Sequence, residues 1–121
     1  MAAGKRTIEL TKIAANALAD KLGGEIVAID LSEQLVLSQV FLLVTGNNEP
    51  QMQALSDEVQ KKLAEAGEKP ARKEGSGGWI LLDYTDLVVH IQSAELRNYY
   101  MLERLWNDCP KIELELEKAN R

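Results

Sequence analysis

One cysteine, one histidine, one phenylalanine and three prolines are spread through 121 residues. Cys109, standing alone, excludes an intrachain disulfide and any zinc site built from several cysteines. His90 without cysteine companions cannot make a usual zinc site, so a hydrogen-bonded structural or interface role is expected of it. Long apolar runs are also missing. The longest, Val40 to Val44 and Trp79 to Leu82, fall far short of the roughly 20 residues a membrane-spanning helix needs, so no membrane span is expected. The opening MAAGKRTIEL carries basic residues but no apolar stretch behind them, and a cytoplasmic address is expected rather than secretion. Nor is there a surplus of positive charge. Nineteen acidic residues face fourteen basic ones, for a net charge of -5. A chain that grips nucleic acid by its phosphates normally shows a basic face. Here the densest basic cluster, Lys69, Arg72 and Lys73, is interrupted by Glu68 and Glu74. Direct DNA binding is therefore not expected, and an acidic domain suits a basic protein partner.

What is present is enough for one core, with 45% hydrophobic and 27% charged residues. Leu10, Ile13, Ala14, Ala17, Leu18 and Leu22 recur at steps of three and four. This spacing predicts an amphipathic helix capped by Thr7 and stopped at Gly23-Gly24. Glu25 to Leu31 is rich in β-branched residues and reads as a strand, with Ser32-Glu33-Gln34 as the connection to the next. Val36 to Thr45 reads as a strand in the middle of the sheet, because Val-Phe-Leu-Leu-Val lacks polar alternation. Asn48 and Gln51 suggest a capping box, Pro50 a first turn, and Met52, Leu55, Val59, Leu63 and Ala66 the apolar stripe of a second helix ending at Gly67. Lys69 to Lys73 is expected as a short edge strand and Gly75-Ser76-Gly77-Gly78 as a flexible loop. Trp79 to Asp83 and Leu87 to Gln92 form an antiparallel hairpin through Tyr84-Thr85-Asp86. Ser93 caps a last helix running toward Pro110, with Tyr100 and Trp106 turned to the core. The expected order is α-β-β-α-β-β-β-α: a single α/β domain with one mixed sheet over residues 1–110, and a charged tail from 111 to 121 with little to bury.

Three places could carry chemistry. Thr45-Gly46-Asn47-Asn48 lies between a strand and a helix N-terminus, where backbone N–H groups can hold a phosphate. It lacks the lysine and hydroxyl residue of a P-loop and the three glycines of a dinucleotide fingerprint, so a capped turn is the simpler reading. Asp83 and Asp86 bracket the hairpin turn, but ligands projecting from one strand face stand two apart, not three. Turn hydrogen bonds account for both, and their charge remains available to a partner's arginine or lysine. The aromatics are informative. Trp79, Tyr84, Tyr99, Tyr100 and Trp106 crowd the end of a chain that is only 5% aromatic. Trp79 and Tyr84 open and close a short strand beside a glycine-rich loop, and such residues are the ones most enriched at interface hot spots.

The segments FLLVTGNN, ALSDEVQKKL, EGSGGWILLDYTDLVVHI and RNYYMLERLWNDCP occur together and in order. Over roughly Ile8 to Glu113 the chain resembles the ribosomal silencing factors, also called Iojap-like proteins. The resemblance implies a nucleotidyltransferase-like fold without that activity, and no catalytic residue, metal or cofactor. It implies a cytoplasmic protein that binds the large ribosomal subunit at its fourteenth ribosomal protein. There it would sterically block subunit joining, repressing translation in starvation or stationary phase. A homodimer is implied for the free protein. The implied partner-binding patch comprises Trp79, Leu81, Tyr84, Asp86 and His90, with Glu74 at its edge. Two departures stand out: the family usually has glycine at the position of Thr85 and an aromatic at that of Gln92. If Thr85 adopts positive φ, the turn is strained or has another shape. Two other readings use the same chain. One is a large-subunit assembly factor; the other is a divergent nucleotidyltransferase holding phosphate at Gly46 and magnesium at Asp83 and Asp86.

Overall fold

Apolar side chains at alternate positions build a sheet here, and those at steps of three and four build the helices laid upon it. The computed structural model describes residues 3–33, 39–114 and 116; Gln34 and the expected start of a strand at Val36 lie outside them. The elements are α1 (Lys5–Asp20), β1 (Gly24–Asp30), β2 (Val40–Gly46), α2 (Glu49–Glu65), β3 (Arg72–Ser76), β4 (Trp79–Asp83), β5 (Leu87–Ser93), α3 (Ala94–Tyr100) and α4 (Leu102–Leu105). They form a single mixed α/β domain. Its sheet runs β1-β2-β5-β4-β3, parallel between β2 and β5 and antiparallel elsewhere. β5 is the central strand, and β2 beside it is paired on both edges, as its uninterrupted apolar run requires.

Each strand divides its residues between two faces. Ala28, Val40, Leu42, Val44, Leu82, Leu87, Val89 and Ile91 meet Leu10, Ala14, Leu18, Met52, Leu55, Val59 and Leu63 in the main core, beneath α1 and α2. Ile29, Leu31 and Leu43 point the other way, into a smaller core with Cys109 and the flanking Phe41, Leu102 and Trp106. Only part of this second face is covered.

The α2 cap is reciprocal. Asn48 Oδ1 accepts from the Gln51 N–H at 2.8 Å, while the Gln51 side chain accepts from the Asn47 N–H at 2.6 Å. At α1, by contrast, the N-cap is Gly4, and Thr7 is buried inside the helix, where its carbonyl accepts from the Thr11 hydroxyl at 2.7 Å. The expected edge strand is shifted to Arg72–Ser76, because Gly77 and Gly78 both take positive φ (61° and 91°) and make a tight turn between β3 and β4. What reads as a four-residue loop is therefore half strand. The last helix is not continuous: Met101 sits at φ 49° and separates α3 from α4. Nor is the segment after Pro110 without burial. Ile112, Leu114 and Leu116 pack on the main core, and Lys111 bridges to Ile29 of β1. Ile112, Leu114 and Leu116 stand at alternate positions, a pattern that the intervening glutamates obscure in sequence; residues 115 and 117–121 of the expected tail lie outside the described ones.

Candidate docking face

The second sheet face, away from α1 and α2, is where the aromatic residues converge. On β4, Trp79 and Leu81 project to it. The register Leu81↔His90 and Glu74↔Leu81 puts His90 of β5 and Glu74 of β3 on the same side. Trp79 is half-buried, and its indole N–H donates to His90 Nδ1 at 3.2 Å. The Tyr100 ring lies 4.9 Å from the Trp79 ring, and Tyr99 stands edge-on to Tyr100 at 5.0 Å. On the other side of His90, Phe41 packs 4.5 Å from its ring and edge-on to Trp106 at 5.3 Å. An unbroken aromatic chain thus runs from Trp106 inside to Tyr99 at the surface. Tyr99 is 77% exposed and Tyr100 48%, an adjoining aromatic pair at the surface end of this chain. Tyr100, expected in the core, instead extends this surface: the break at Met101 turns α4 away and leaves the end of α3 open.

The six residues of the expected patch do not share this face. Trp79 and Tyr84 are five positions apart on an extended chain, and an odd separation sends side chains to opposite sides. Tyr84 packs on the main core at the helix-covered face, its hydroxyl buried and without a partner among the described residues. Burial, with Glu68 adding to it, pushes that phenol up to about 12. Asp86 is exposed in the β4–β5 turn, and Glu74 is exposed on the edge strand beside Arg72, at 3.3 Å. His90 is only 4% exposed, so it lies under the face rather than on it, and burial lowers its pKa to about 4. Among the described residues its Nε2 has no partner, and both polar atoms of the fully buried Gln92 amide are equally without one.

One buried cation holds the covering segment in place. Arg97 on α3, 3% exposed, donates to Thr45 Oγ1 at 2.8 Å, to the Glu25 carbonyl at 2.7 Å and to both Glu103 carboxylate oxygens at 3.1 and 3.2 Å. Burial pushes the Glu103 carboxyl up, but the Glu103 backbone N–H and the Arg97 guanidinium outweigh it and hold the group below its usual range. The bulge in β1, with Glu25 at φ 48°, turns the Glu25 carbonyl toward Arg97. Sequence reading missed Arg97, Tyr99 and Phe41 as parts of this face. The Tyr-Tyr pair following Arg97 was the available signal.

The other candidate places resolve structurally. A Cβ on Gly46 would stand 2.5 Å from Met52 Cγ, so glycine is needed for α2 to pack against the strand end. In the first turn of α2, Pro50 has no N–H to offer and the Gln51 amide is taken by the Asn48 cap. Asp83 Oδ1 accepts from the Thr85 N–H at 2.8 Å and Oδ2 approaches Arg72 at 3.5 Å, while Asp86 lies outside that arrangement.

Residues 4–121 match the protein family described as "Ribosomal silencing factor during starvation". The chain belongs to the ribosomal silencing factor family. A relative named ribosomal silencing factor RsfS in Halalkalibacterium halodurans is 39% identical over 109 residues, covering 88% of this chain and 93% of its own length. Its counterpart in Chromobacterium violaceum is 41% identical over 100 residues, covering 81% and 82%. A crystal structure of a Chromobacterium violaceum protein superposes with a TM-score of 0.80 at 37% identity, covering 93% of this chain and 95% of that one. The likeness to the silencing factors therefore extends through the whole aromatic face, from Phe41 to Trp106.

Proposed function

We propose that this protein docks on the large ribosomal subunit through the face formed by Trp79, Leu81, Tyr99 and Tyr100, and there prevents the small subunit from joining. The observation that carries this reading is the exposed aromatic chain on a sheet face half-covered by α3 and α4. Membership in the silencing factor family supplies the ribosome as the target. The fourteenth large-subunit protein is the proposed contact: ribosomal proteins are commonly basic, and this chain, at a net charge of -5, is their electrostatic complement. Repression is steric, with no catalytic step. The same apolar face is proposed to be shared with a second copy when the protein is free, so self-association and docking compete.

Density-gradient sedimentation with purified large subunits tests this directly. Wild-type protein is expected to travel with the subunits and to reduce the yield of joined ribosomes when small subunits are added. Trp79→Ala should cost about 2 kcal/mol, roughly thirtyfold in affinity, as truncation of an aromatic anchor does. Protein left at the top of the gradient with subunits in excess would end the proposal.

A further inference from the structure

His90 belongs to the expected patch and yet cannot touch a partner, being 4% exposed beneath Phe41 and Trp79. Its position explains what it does instead. Trp79 faces Gln92 and Leu81 faces His90 in the β4–β5 register, so His90 is the diagonal neighbour of Trp79 on the same sheet face. From there Nδ1 reaches the indole N–H at 3.2 Å. A half-buried tryptophan can turn about two side-chain torsions, and Tyr100 at 4.9 Å restrains one side of its ring. The hydrogen bond to a side chain that is itself immobile restrains the other. Accepting at Nδ1 also requires the proton of the neutral ring to sit on Nε2, and burial keeps the ring neutral.

We infer that His90 is a positioning residue: through Nδ1 it locks the Trp79 indole in the orientation the docking face presents. This rests on the proposed ribosome docking and adds a specific division of labour within it. Tryptophan makes the contact and histidine prepays the ordering, which otherwise falls due at docking for each flexible side chain.

The test compares two variants of equal shape. Asparagine places an oxygen close to where histidine has Nδ1, and leucine places a methyl there. In ¹⁵N-labelled free protein the two indole N–H signals, of Trp79 and Trp106, are assigned with a Trp106→Phe variant. His90→Leu is expected to shift the Trp79 signal toward that of a solvent-exposed indole and to speed its exchange with water at least tenfold; His90→Asn should keep it bonded. In the subunit gradient, His90→Leu should bind about three- to tenfold more weakly than wild type, and His90→Asn should recover most of that loss. Thermal unfolding of both variants separates this from a general loss of stability, because the indole signal is read in the folded state. An unmoved indole signal in His90→Leu overturns the inference, as does a released indole with unchanged subunit binding. Wild-type protein that fails to bind subunits overturns the docking proposal itself, and that outcome is visible before any variant is compared.

Discussion

Replacing Thr85 by glycine should make the protein more stable. Thr85 joins β4 to β5 at φ 76°, and the Asp86 N–H donates to the Tyr84 carbonyl at 2.9 Å across it. This is a γ-turn with a left-handed central residue, a rare and strained form. A residue carrying a Cβ pays about 1–2 kcal/mol there, and a β-branched one sits at the upper end. Glycine removes that cost but surrenders roughly 0.5–1 kcal/mol of extra chain entropy on folding. The Asp83 Oδ1 bond to the residue 85 N–H, 2.8 Å long, is to the backbone and survives. The net gain is about 1–1.5 kcal/mol, which for a domain of this size raises the midpoint of thermal unfolding by about 4–6 °C. Urea titration followed by circular dichroism should show a higher midpoint with an unchanged slope. Thr85→Ala is the control: it retains a Cβ and should recover less than half of the gain. Equal stabilisation by alanine and glycine, or none by glycine, would refute the assignment of the strain to the backbone.

Three other outcomes follow from buried groups. Gln92→Met removes an amide whose oxygen and nitrogen are both buried without partners among the described residues, and should raise the urea midpoint by the equivalent of about 1 kcal/mol. His90, lowered to about 4, stays neutral in the fold while the unfolded chain takes up a proton below about 6.5. Its contribution is thus complete above about pH 6.5 and is lost as pH falls toward 4, up to about 3 kcal/mol; urea midpoints measured across that window should fall less in His90→Asn. Arg97→Met breaks the pair with Glu103 and the bonds to Thr45 and Glu25, and should cost about 3 kcal/mol, with faster amide exchange appearing first in α3 and α4.

The periodic elements were readable because their burial is one-sided. The stripe of Met52, Leu55, Val59 and Leu63 defines α2, and the unbroken apolar run of β2 places it centrally. Trp79–Asp83 is also visible as a strand, since its ends are marked by a glycine pair and an aspartate turn. What could not be read depends on single dihedral angles. Nothing local in Tyr-Tyr-Met-Leu-Glu announces that Met101 turns left-handed, and that one rotation decides whether Tyr100 is core or surface. The proposed docking face was half-legible for a related reason. Strand parity would have separated Trp79 from Tyr84, whereas the burial of His90 depends on Phe41, forty-nine positions nearer the N-terminus.

Asp30 ties the first described residues to the last segment. Its carboxylate accepts from the Ala3 N–H at 3.0 Å, its own N–H donates to the Pro110 carbonyl at 2.8 Å, and two residues back the Ala28 carbonyl accepts from Ile112 at 2.9 Å. During synthesis the first of these bonds can form once β1 has emerged; the other two must wait for residues 110 to 112. In a chain made from its N-terminus the outer edge of β1 therefore stays an open strand edge until residues 110 to 112 are free to close it.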